Sequence, residues 1–414
     1  MNQSPALSGL FRNRVIRALL LSGLFLQIGI WVRNFSVLLF IVEKTDGNPY
    51  AISLISVAEF APIFVFSIIG GAFADRWKPR KTMVWCDVLS AVSVFAVLGA
   101  LLFAGWQAVF FAMLISAILS QFSQPSGLKL FKVHVPGEQM QMGMSIYQTM
   151  FAVFMILGPI LGTFVYQQFG IFVSIGITGI MFLLSAAVLF FLPADKETEK
   201  QEKTTIFQEL ASGFRYVFKN RTFVILSGNF IAAGLGVGLT QPLAIFIVTE
   251  KLGMQSSFLQ WFLAVYGAAM LVGGALAFAF AKKIPPIWML AAGMVIDAVM
   301  LSIIGFSDVL WITLAAQFFS GLAMPAINIS VNTLILNNAE EAYVGRVNGI
   351  MMPMFMGSMV LMMSLAGAFK EFLSLTMVYQ LSAVFFLIGI VLVIPLLASK
   401  SSKKAKPTAG EPVS

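Results

Sequence analysis

Four charged side chains interrupt long apolar runs of this sequence and are its main candidates for chemistry: Arg33, Glu59, Asp87 and Asp297. A charge inside hydrocarbon is costly, so such residues usually pair, carry protons or bind a charged substrate. Arg33 and Glu59 lie about nine residues from the facing ends of two successive apolar runs, a depth of about 13 Å in a helix. We therefore expect an Arg33–Glu59 pair, which either is purely structural or also carries protons or substrate charge.

The two aspartates differ in their surroundings. Asp87 lies about one and a half helical turns into its run, close in sequence to Arg80 and Lys81, which could neutralise it. Asp297 lies deeper, with no basic residue nearby in sequence, so it needs a partner from another helix or a proton. Asp297 is therefore a candidate for proton coupling, and the alternative is a hydrogen bond between helices.

Uncharged polar residues on the apolar runs are candidates for lining a substrate cavity. Residues seven or four positions apart share a face of a helix. Others in the set simply bridge helices, which is the usual role of such groups in membranes. The candidates are Gln27, Asn34, Gln121, Gln124, Gln148, Asn229, Gln241, Asn328 and Asn332.

The composition identifies the solvent of most side chains as lipid. The chain is 59% hydrophobic and 11% charged, whereas soluble domains carry about 25% charged residues. A membrane span needs about 20 mostly apolar residues. The apolar runs predict twelve spans, and the internal hydrogen bonding that hydrocarbon demands makes them helices. They lie near 16–42, 50–74, 82–104, 106–127, 139–166, 170–193, 221–248, 256–281, 287–306, 308–331, 343–369 and 373–398.

A polar segment at 194–220 divides these spans into six plus six. The predicted organisation is a cytoplasmic N-terminus (1–15), a six-helix bundle (16–193), a cytoplasmic linker (194–220), a second bundle (221–398) and a disordered basic tail (399–414). We interpret the linker as solvated, with a regulatory or partner-binding role as the alternative. Asp87 and Asp297 occupy corresponding spans, which favours an all-α fold of two pseudo-symmetric halves, with a substrate site between them.

The distribution of basic residues predicts the orientation. With both termini in the cytoplasm, 22 of the 26 Lys and Arg residues lie on the cytoplasmic side, as the positive-inside rule requires. The opposite side then holds only Lys44, Lys251 and Lys370.

Several function classes are disfavoured. One cysteine (Cys86) and one histidine (His134) exclude an internal disulfide and a Cys- or His-rich metal site, and we expect neither metal nor cofactor. The bases form no stripe with interleaved aromatics, so we expect no nucleic acid partner. The absence of a GxxxxGK[ST] motif argues against direct use of ATP. A membrane enzyme would need a cluster of catalytic groups, and a channel would need pore loops or charged rings.

The segment 70–81, GGAFADRWKPRK, lies between the second and third spans. It resembles the loop between helices 2 and 3 of the major facilitator superfamily, most closely in the macrolide-efflux and siderophore-exporter branch. Asp75 lies at the negative end of a helix dipole, so it needs compensation from nearby bases or another helix. The resemblance implies a conformational latch to the second half, and the alternative is a loop that only sets topology. The latch candidates are Gly71, Asp75, Arg76, Arg80, Lys81 and Asp87.

The sequence ILGPILG in the fifth span, with Gly158, Pro159 and Gly162, resembles part of the motif of antiporters in the same superfamily. Its proline could bend the helix, and the alternative is a tolerated proline. The fourth span lacks the arginine of many proton-coupled relatives, which places a standard proton relay in doubt. The matching loop of the second half is reduced to Lys282-Lys283.

These features predict a secondary transporter that works by alternating access. The resemblance implies export, and a largely apolar chain with few buried charges favours an amphiphilic or hydrophobic solute, such as a drug or siderophore. Glu59 or Asp297 could couple this export to protons, which predicts proton antiport. The expected setting is a monomer in a bacterial plasma membrane, with lipid, a small-molecule substrate and protons as partners. The main alternative is a lysophospholipid or metabolite transporter of the same fold, working as a flippase or in uptake.

Overall fold

The computed structural model describes residues 13–103, 105–135, 137–192, 206–281 and 283–404. Within these ranges it does not describe the side chains at 67–76, 134, 137–139, 141, 206–210, 342 and 398–404. All regular secondary structure of the described residues is helical, which confirms the all-α prediction. The first half contains α1 (Arg14–Lys44), α2 (Pro49–Arg76), α3 (Pro79–Ala100), α4 (Ala108–His134) and α5 (Gly137–Phe190).

The helix α5 consists of two arms that meet at Gly170. At this residue φ is 71° and ψ is −177°, a combination that is essentially restricted to glycine. The apolar part of α5, Met142–Phe190, has 49 residues, far more than the 20 or so that cross a bilayer. We name the arms α5a (137–169) and α5b (171–190), and they correspond to the fifth and sixth predicted spans.

The second half begins with a helix that hydropathy did not indicate, α6 (Ile206–Lys219). The remaining α-helices are α7 (Arg221–Thr240), α8 (Ala244–Phe246), α9 (Leu259–Phe280), α10 (Pro286–Phe306), α11 (Leu310–Asn338), α12 (Val344–Phe372) and α13 (Leu375–Lys404). Short 3₁₀ or π segments lie at Ile247–Lys251, Ser256–Phe258 and Glu341–Tyr343.

The described helices confirm twelve membrane-spanning segments. Eleven helices are long and apolar enough to cross a membrane, and α5 supplies two spans. Some helices are longer than the predicted spans: α4 continues from 127 to His134, and α11 from 331 to Asn338. The length of an apolar run reflects the thickness of the hydrocarbon layer. A helix can continue beyond that layer wherever its residues favour helix formation. Likewise α13 continues to Lys404, and the rest of the predicted tail, 405–414, lies outside the described residues.

Local sequence explains where several helices begin. The side chain of Asn13 accepts a hydrogen bond from the amide of Val15 at 2.9 Å, and that of Asn220 accepts one from Thr222 at 3.0 Å. These are N-cap bonds, which satisfy amide groups that have no partner within the helix. Proline occupies the first position of α3 and α10, where the missing N–H costs nothing.

Two sides of the bundles are named by their charge. In unit 1, the basic side is the side of the connections that follow α2, α4 and α5b, and the opposite side is the side of the turns after α1 and at Gly170. In unit 2, the basic side is the side of the connections that follow α9 and α11. The chain forms two compact units, of which unit 1 comprises Met1–Lys203, Pro242–Gly267 and Met363–Phe372. Unit 2 comprises Thr204–Gln241, Ala268–Met362 and Leu373–Ser414. Two short segments of the second half are thus part of unit 1.

Candidate functional site

The charges Arg33 and Glu59 are joined in unit 1 by the side chain of Asn34. Arg33, only 3% exposed, donates from Nε and Nη2 to Asn34 Oδ1 at 3.1 and 2.9 Å. The amide nitrogen of Asn34 then donates to Glu59 Oε1 at 2.6 Å. We call these three residues the charge network. The amide carries the interaction between the guanidinium and the carboxylate, so each charge has a hydrogen-bonded partner inside unit 1.

The positions of these residues in two antiparallel helices explain why they meet. The helices α1 and α2 are joined by a turn between Lys44 and Pro49, so residues at equal distances from the turn lie at equal depth. The predicted proximity of the two charges is therefore seen, with an amide between them. Asn34 forms the bridge, and its predicted role in lining a cavity stays a prediction. The Nη1 atom of Arg33 is buried and has no hydrogen-bond partner among the described residues.

The carboxylate of Asp87 is held by α5b. Asp87 is buried and accepts a hydrogen bond from Ser185 Oγ at 2.6 Å, and the same hydroxyl lies 2.8 Å from Ser22 Oγ. This chain of polar groups joins α3, α5b and α1 inside unit 1. Asp87 was predicted to belong to the latch, and its hydrogen bond to α5b adds a role in holding the bundle together.

In unit 2, Asp297 of α10 accepts a hydrogen bond from the hydroxyl of Ser320 in α11. Both residues are buried. This contact is the hydrogen bond between helices that the sequence offered as the alternative to proton coupling. A single hydroxyl does not neutralise a buried carboxylate, so proton coupling at Asp297 stays a prediction.

The structure describes only some of the residues of the predicted latch. The helix α2 continues to Arg76, but the side chains of Gly71, Asp75 and Arg76 lie outside the described residues. Arg80 donates from Nε to the carbonyl of Leu189 at 3.2 Å and from Nη2 to the carbonyl of Phe190. Its guanidinium also lies 5.6 Å from the centre of the Phe190 ring.

These carbonyls end α5b, where the helix dipole is negative and favours a cation. Arg80 therefore attaches the loop after α2 to the end of the sixth span. Lys81 is exposed. The role of the loop as a latch stays a prediction.

The antiporter-like motif packs α5a against α1. A Cβ atom at Gly158 would lie 2.2 Å from Trp31 Cδ2, and one at Gly162 would lie 2.6 Å from the Trp31 carbonyl oxygen. Any side chain at these two positions would separate the helices, so both glycines are required for the contact. Pro159 lies inside the helix between them. The proposed flexing or sealing role of the motif stays a prediction.

The remaining polar candidates have different environments. Asn229 is buried and donates to the Gly389 carbonyl at 3.1 Å, which favours the helix-bridging alternative for this residue. Gln121 donates to Ser120 Oγ at 3.1 Å and, like Gln27, is buried. Five candidates are exposed: Gln124, Gln148, Gln241, Asn328 and Asn332. Gln148 is the deepest of these in the first half and lies beside the exposed Thr149 on α5a.

Sequence reasoning missed a contact on the opposite side of unit 1, which we call the opposite-side contact. Gly367 of α12 lies against α2, and a Cβ there would be 2.9 Å from the backbone oxygen of Pro49 and from Tyr50 N and Cα. The hydroxyl of Tyr50 forms a hydrogen bond with Glu371. The available signal was the presence of Glu250 and Glu371 together with Lys370 on a side that has few charges.

A salt bridge and an aromatic ring support this contact. Lys370 Nζ lies 2.7 Å from Glu250 Oε1 and 4.1 Å from the centre of the Phe246 ring. Gly267 of α9 lies against α5a, where a Cβ would be 3.1 Å from the Met155 carbonyl oxygen. The segments of the second half that belong to unit 1 are thus packed against α2 and α5a.

Known proteins resemble this chain over most of its length. A model of the Major Facilitator Superfamily matches residues 19–240 and 226–413. An uncharacterised transporter of this type from Bacillus subtilis, YkuC, is 25% identical over 88% of each chain. The multidrug efflux pump Tap of Mycolicibacterium fortuitum is 25% identical, over 85% of this chain and 89% of Tap. Macrolide efflux protein A of Streptococcus pyogenes is 19% identical, over 76% and 79%.

A solved structure confirms the fold. The nucleoside transporter NupG, crystallised as a D323A mutant, superposes with a TM-score of 0.76, covering 93% of this chain and 99% of that protein at 13% identity. The two halves, the twelve spans and the matches along the chain agree with the resemblance noted in the loop after α2. The protein is a multi-pass membrane transporter that belongs to the major facilitator superfamily.

Proposed function

We propose that the protein exports small amphiphilic or hydrophobic solutes, with protons moving in the opposite direction. Two relatives that match most of the chain are named as a multidrug efflux pump and a macrolide efflux protein. The scarcity of charges within the spans supports a solute that is itself largely apolar. The positive-inside bias supports cytoplasmic termini and the plasma membrane, and we propose that the transporter works as a monomer.

The observation that carries proton coupling is the Asn34 bridge. A carboxylate only accepts hydrogen bonds, whereas a protonated carboxyl also donates one. Deprotonated Glu59 accepts from the amide nitrogen of Asn34, and this bond orients the amide oxygen toward Arg33. Protonation of Glu59 removes the charge that balances the guanidinium. The charge network then has two distinct states, as a group that couples protons to a conformational change requires.

The unpartnered Nη1 of Arg33 adds a binding function to this scheme. A buried donor without a partner is costly and is favourably satisfied by an acceptor. A polar group of the transported solute could supply that acceptor while Glu59 is deprotonated and the bridge through Asn34 is in place. Protonation of Glu59 would then rearrange the charge network and release the solute, which is the exchange that antiport requires.

The opposite-side contact supports a proposal for the stage of the transport cycle at which the solute is released. Alternating access closes one side of a transporter while the other is open. In unit 1, segments of the second half pack on α2 and α5a at the opposite side. We propose that this contact is the outer gate and that it separates during release of the solute.

The experiment is transport by the purified protein in liposomes with an imposed pH gradient. A panel of macrolides, dyes and siderophores is tested, and an internal pH indicator reports protons. We expect solute movement to drive a counter-flow of protons, and Glu59→Gln to abolish that flow. Glu340→Gln is the matched control, because Glu340 is exposed on the basic side. Transport that follows a sodium gradient and ignores pH would contradict the proposal.

A further inference from the structure

The helix α6, between the two halves, has two faces of different character. Residues at 213, 216 and 217 pack against the rest of unit 2, whereas those at 211, 214, 215, 218 and 219 are exposed. The exposed face consists of one alanine, two phenylalanines and two basic residues. We propose that this face is a binding surface for an anionic phospholipid leaflet on the basic side of the membrane. Neither the fold nor the proposed transport requires this interaction.

The packed face holds α6 firmly. The ring of Tyr216 stacks on Tyr343, with centroids 4.2 Å apart and planes 11° apart. The Tyr216 hydroxyl accepts a hydrogen bond from the amide of Glu340 at 3.1 Å. Val217 is fully buried, and a Cβ at Gly213 would lie 2.8 Å from Ile350 Cδ1. The orientation of α6 is therefore determined by unit 2, and the exposed face is fixed in one direction.

The exposed face combines apolar area with positive charge. Phe214 is 44% and Phe218 58% exposed, and their rings stack with centroids 6.2 Å apart. Arg215 and Lys219 are exposed on the same face, one residue after each ring. Aromatic rings next to basic residues are typical of helices that lie in the membrane interface. The rings enter the region between head groups and acyl chains, and the bases contact phosphate oxygens.

The connection to α7 determines the position of this face. Only Asn220 separates Lys219 from Arg221, the first residue of a membrane span. The C-terminal end of α6 therefore lies where the span leaves the hydrocarbon. Arg221 is also exposed and adds a third base at this level. The acid of α6, Glu209, is among the residues whose side chains are not described.

The charge decides which lipid is expected. A leaflet of zwitterionic phosphatidylcholine would bind the two phenylalanine rings, but the basic residues would add little to that binding. A basic residue close to an anionic membrane surface favours binding by about fivefold, so Arg215 and Lys219 together should enrich phosphatidylglycerol around α6. We therefore commit to an anionic leaflet rather than to a protein partner.

The test uses fluorescence at a single site of the full chain. The buried Cys86 is replaced by serine, Phe218→Cys is introduced, and the new thiol is labelled with a polarity-sensitive dye. The labelled protein is reconstituted in vesicles that contain either brominated phosphatidylcholine or brominated phosphatidylglycerol at equal fraction. Glu340→Cys, on the basic side but outside α6, is the matched control. Phe214→Cys provides a second probe of the same face.

We expect both dyes on α6 to be quenched more than the dye at 340, and more strongly by the anionic lipid, by up to about fivefold for each base. In Arg215→Gln/Lys219→Gln the preference should fall by about fivefold for each base removed, with the contribution of Arg221 remaining, while quenching by phosphatidylcholine persists. Quenching of the α6 dyes no greater than at 340 would overturn the proposal, and this includes the case in which a protein covers the face. Equal quenching by the two lipids would also overturn it.

Discussion

Gly367 of α12 and Tyr50 of α2 are in backbone contact, because a Cβ atom at Gly367 would lie 2.9 Å from both the N and the Cα of Tyr50. Backbone atoms cannot move aside as the end of a flexible side chain can. The opposite-side contact therefore requires glycine at this position, although Gly367 lies in a regular helix and has no unusual φ angle.

The first prediction follows from this contact. Gly367→Val should force α12 away from α2 and prevent the opposite side from closing. We expect transport to fall by at least about tenfold, while the free energy of unfolding changes by only about 1–3 kcal/mol, as is typical of an overpacked site. Liposome transport and thermal unfolding of the same preparation measure the two effects.

Gly349 provides the control on the same helix. A Cβ there would meet nothing within 4 Å, so Gly349→Val should transport normally. If Gly367→Val transports at the wild-type rate, closure of this contact is not part of the cycle.

The second prediction concerns the charge network. Arg33→Gln or Glu59→Gln alone leaves a buried charge without its counterpart, which we expect to cost about 3–5 kcal/mol. The double variant removes both charges and should recover most of that stability without recovering transport. Thermal unfolding of the four proteins in detergent gives the coupling energy. Defects that simply add in the double variant would show that the two charges do not interact.

The third prediction separates the bridge from the charges. Asn34→Ala removes the amide that joins Arg33 to Glu59 and leaves buried donors and an acceptor unsatisfied, at a cost of about 1–3 kcal/mol. We expect proton-coupled transport to be lost, because the charges remain but their connection does not. Gln27→Ala, seven residues earlier on the same face of α1, is the comparison. If the Asn34→Ala variant still couples protons normally, the coupling does not depend on Asn34.

The fourth prediction concerns the two buried aspartates. Ser185→Ala removes the donor that Asp87 uses, and Ser320→Ala removes the donor to Asp297. Each should lower the free energy of unfolding by about 1–3 kcal/mol. If Asp297 is only structural, Asp297→Asn keeps transport coupled to protons, as judged by the pH indicator in liposomes. If the Asp297→Asn variant loses proton counter-flow but keeps normal stability, Asp297 takes part in proton coupling.

The fifth prediction tests the latch. Asp75→Asn keeps the size of the side chain and all basic residues of the loop, so topology should not change. We expect a reduction in transport, because the amide cannot neutralise a basic partner. Asp46→Asn, the same chemical change in the turn on the opposite side, is the control, since asparagine tolerates the positive φ of 49° at that position. Full transport by Asp75→Asn would leave only a topological role for the loop.

Most of the fold could be predicted because hydrocarbon imposes a single length on every span. The apolar runs therefore located all twelve spans, and the joint at Gly170, which no charged residue marks, was still visible in the length of the run. The helix α6 was not predicted. Its polar and apolar residues lie on different faces of the helix, so their contributions to the mean hydropathy over 206–219 cancel. The signal that could have found it is the helical spacing of Phe214 and Phe218.

The depth of the candidate site residues along their helices could be predicted, but the rotation of each helix about its axis could not. Distances along the chain gave Arg33 and Glu59 similar depths, because two antiparallel helices share a turn. Which side chain lies between them depends on how each helix is rotated about its axis, and Asn34 occupies that place. The same limit applies to Gly367, since spacing along α12 does not show which neighbour lies against it.

The joint at Gly170 has a mechanical consequence for the first half. One residue joins α5a to α5b, so the adjoining ends of the fifth and sixth spans cannot move apart. The backbone angles of this residue are closed to other residue types, so a side chain at position 170 would strain the joint and change the angle between the two arms. The angle between these two spans therefore depends on a single glycine.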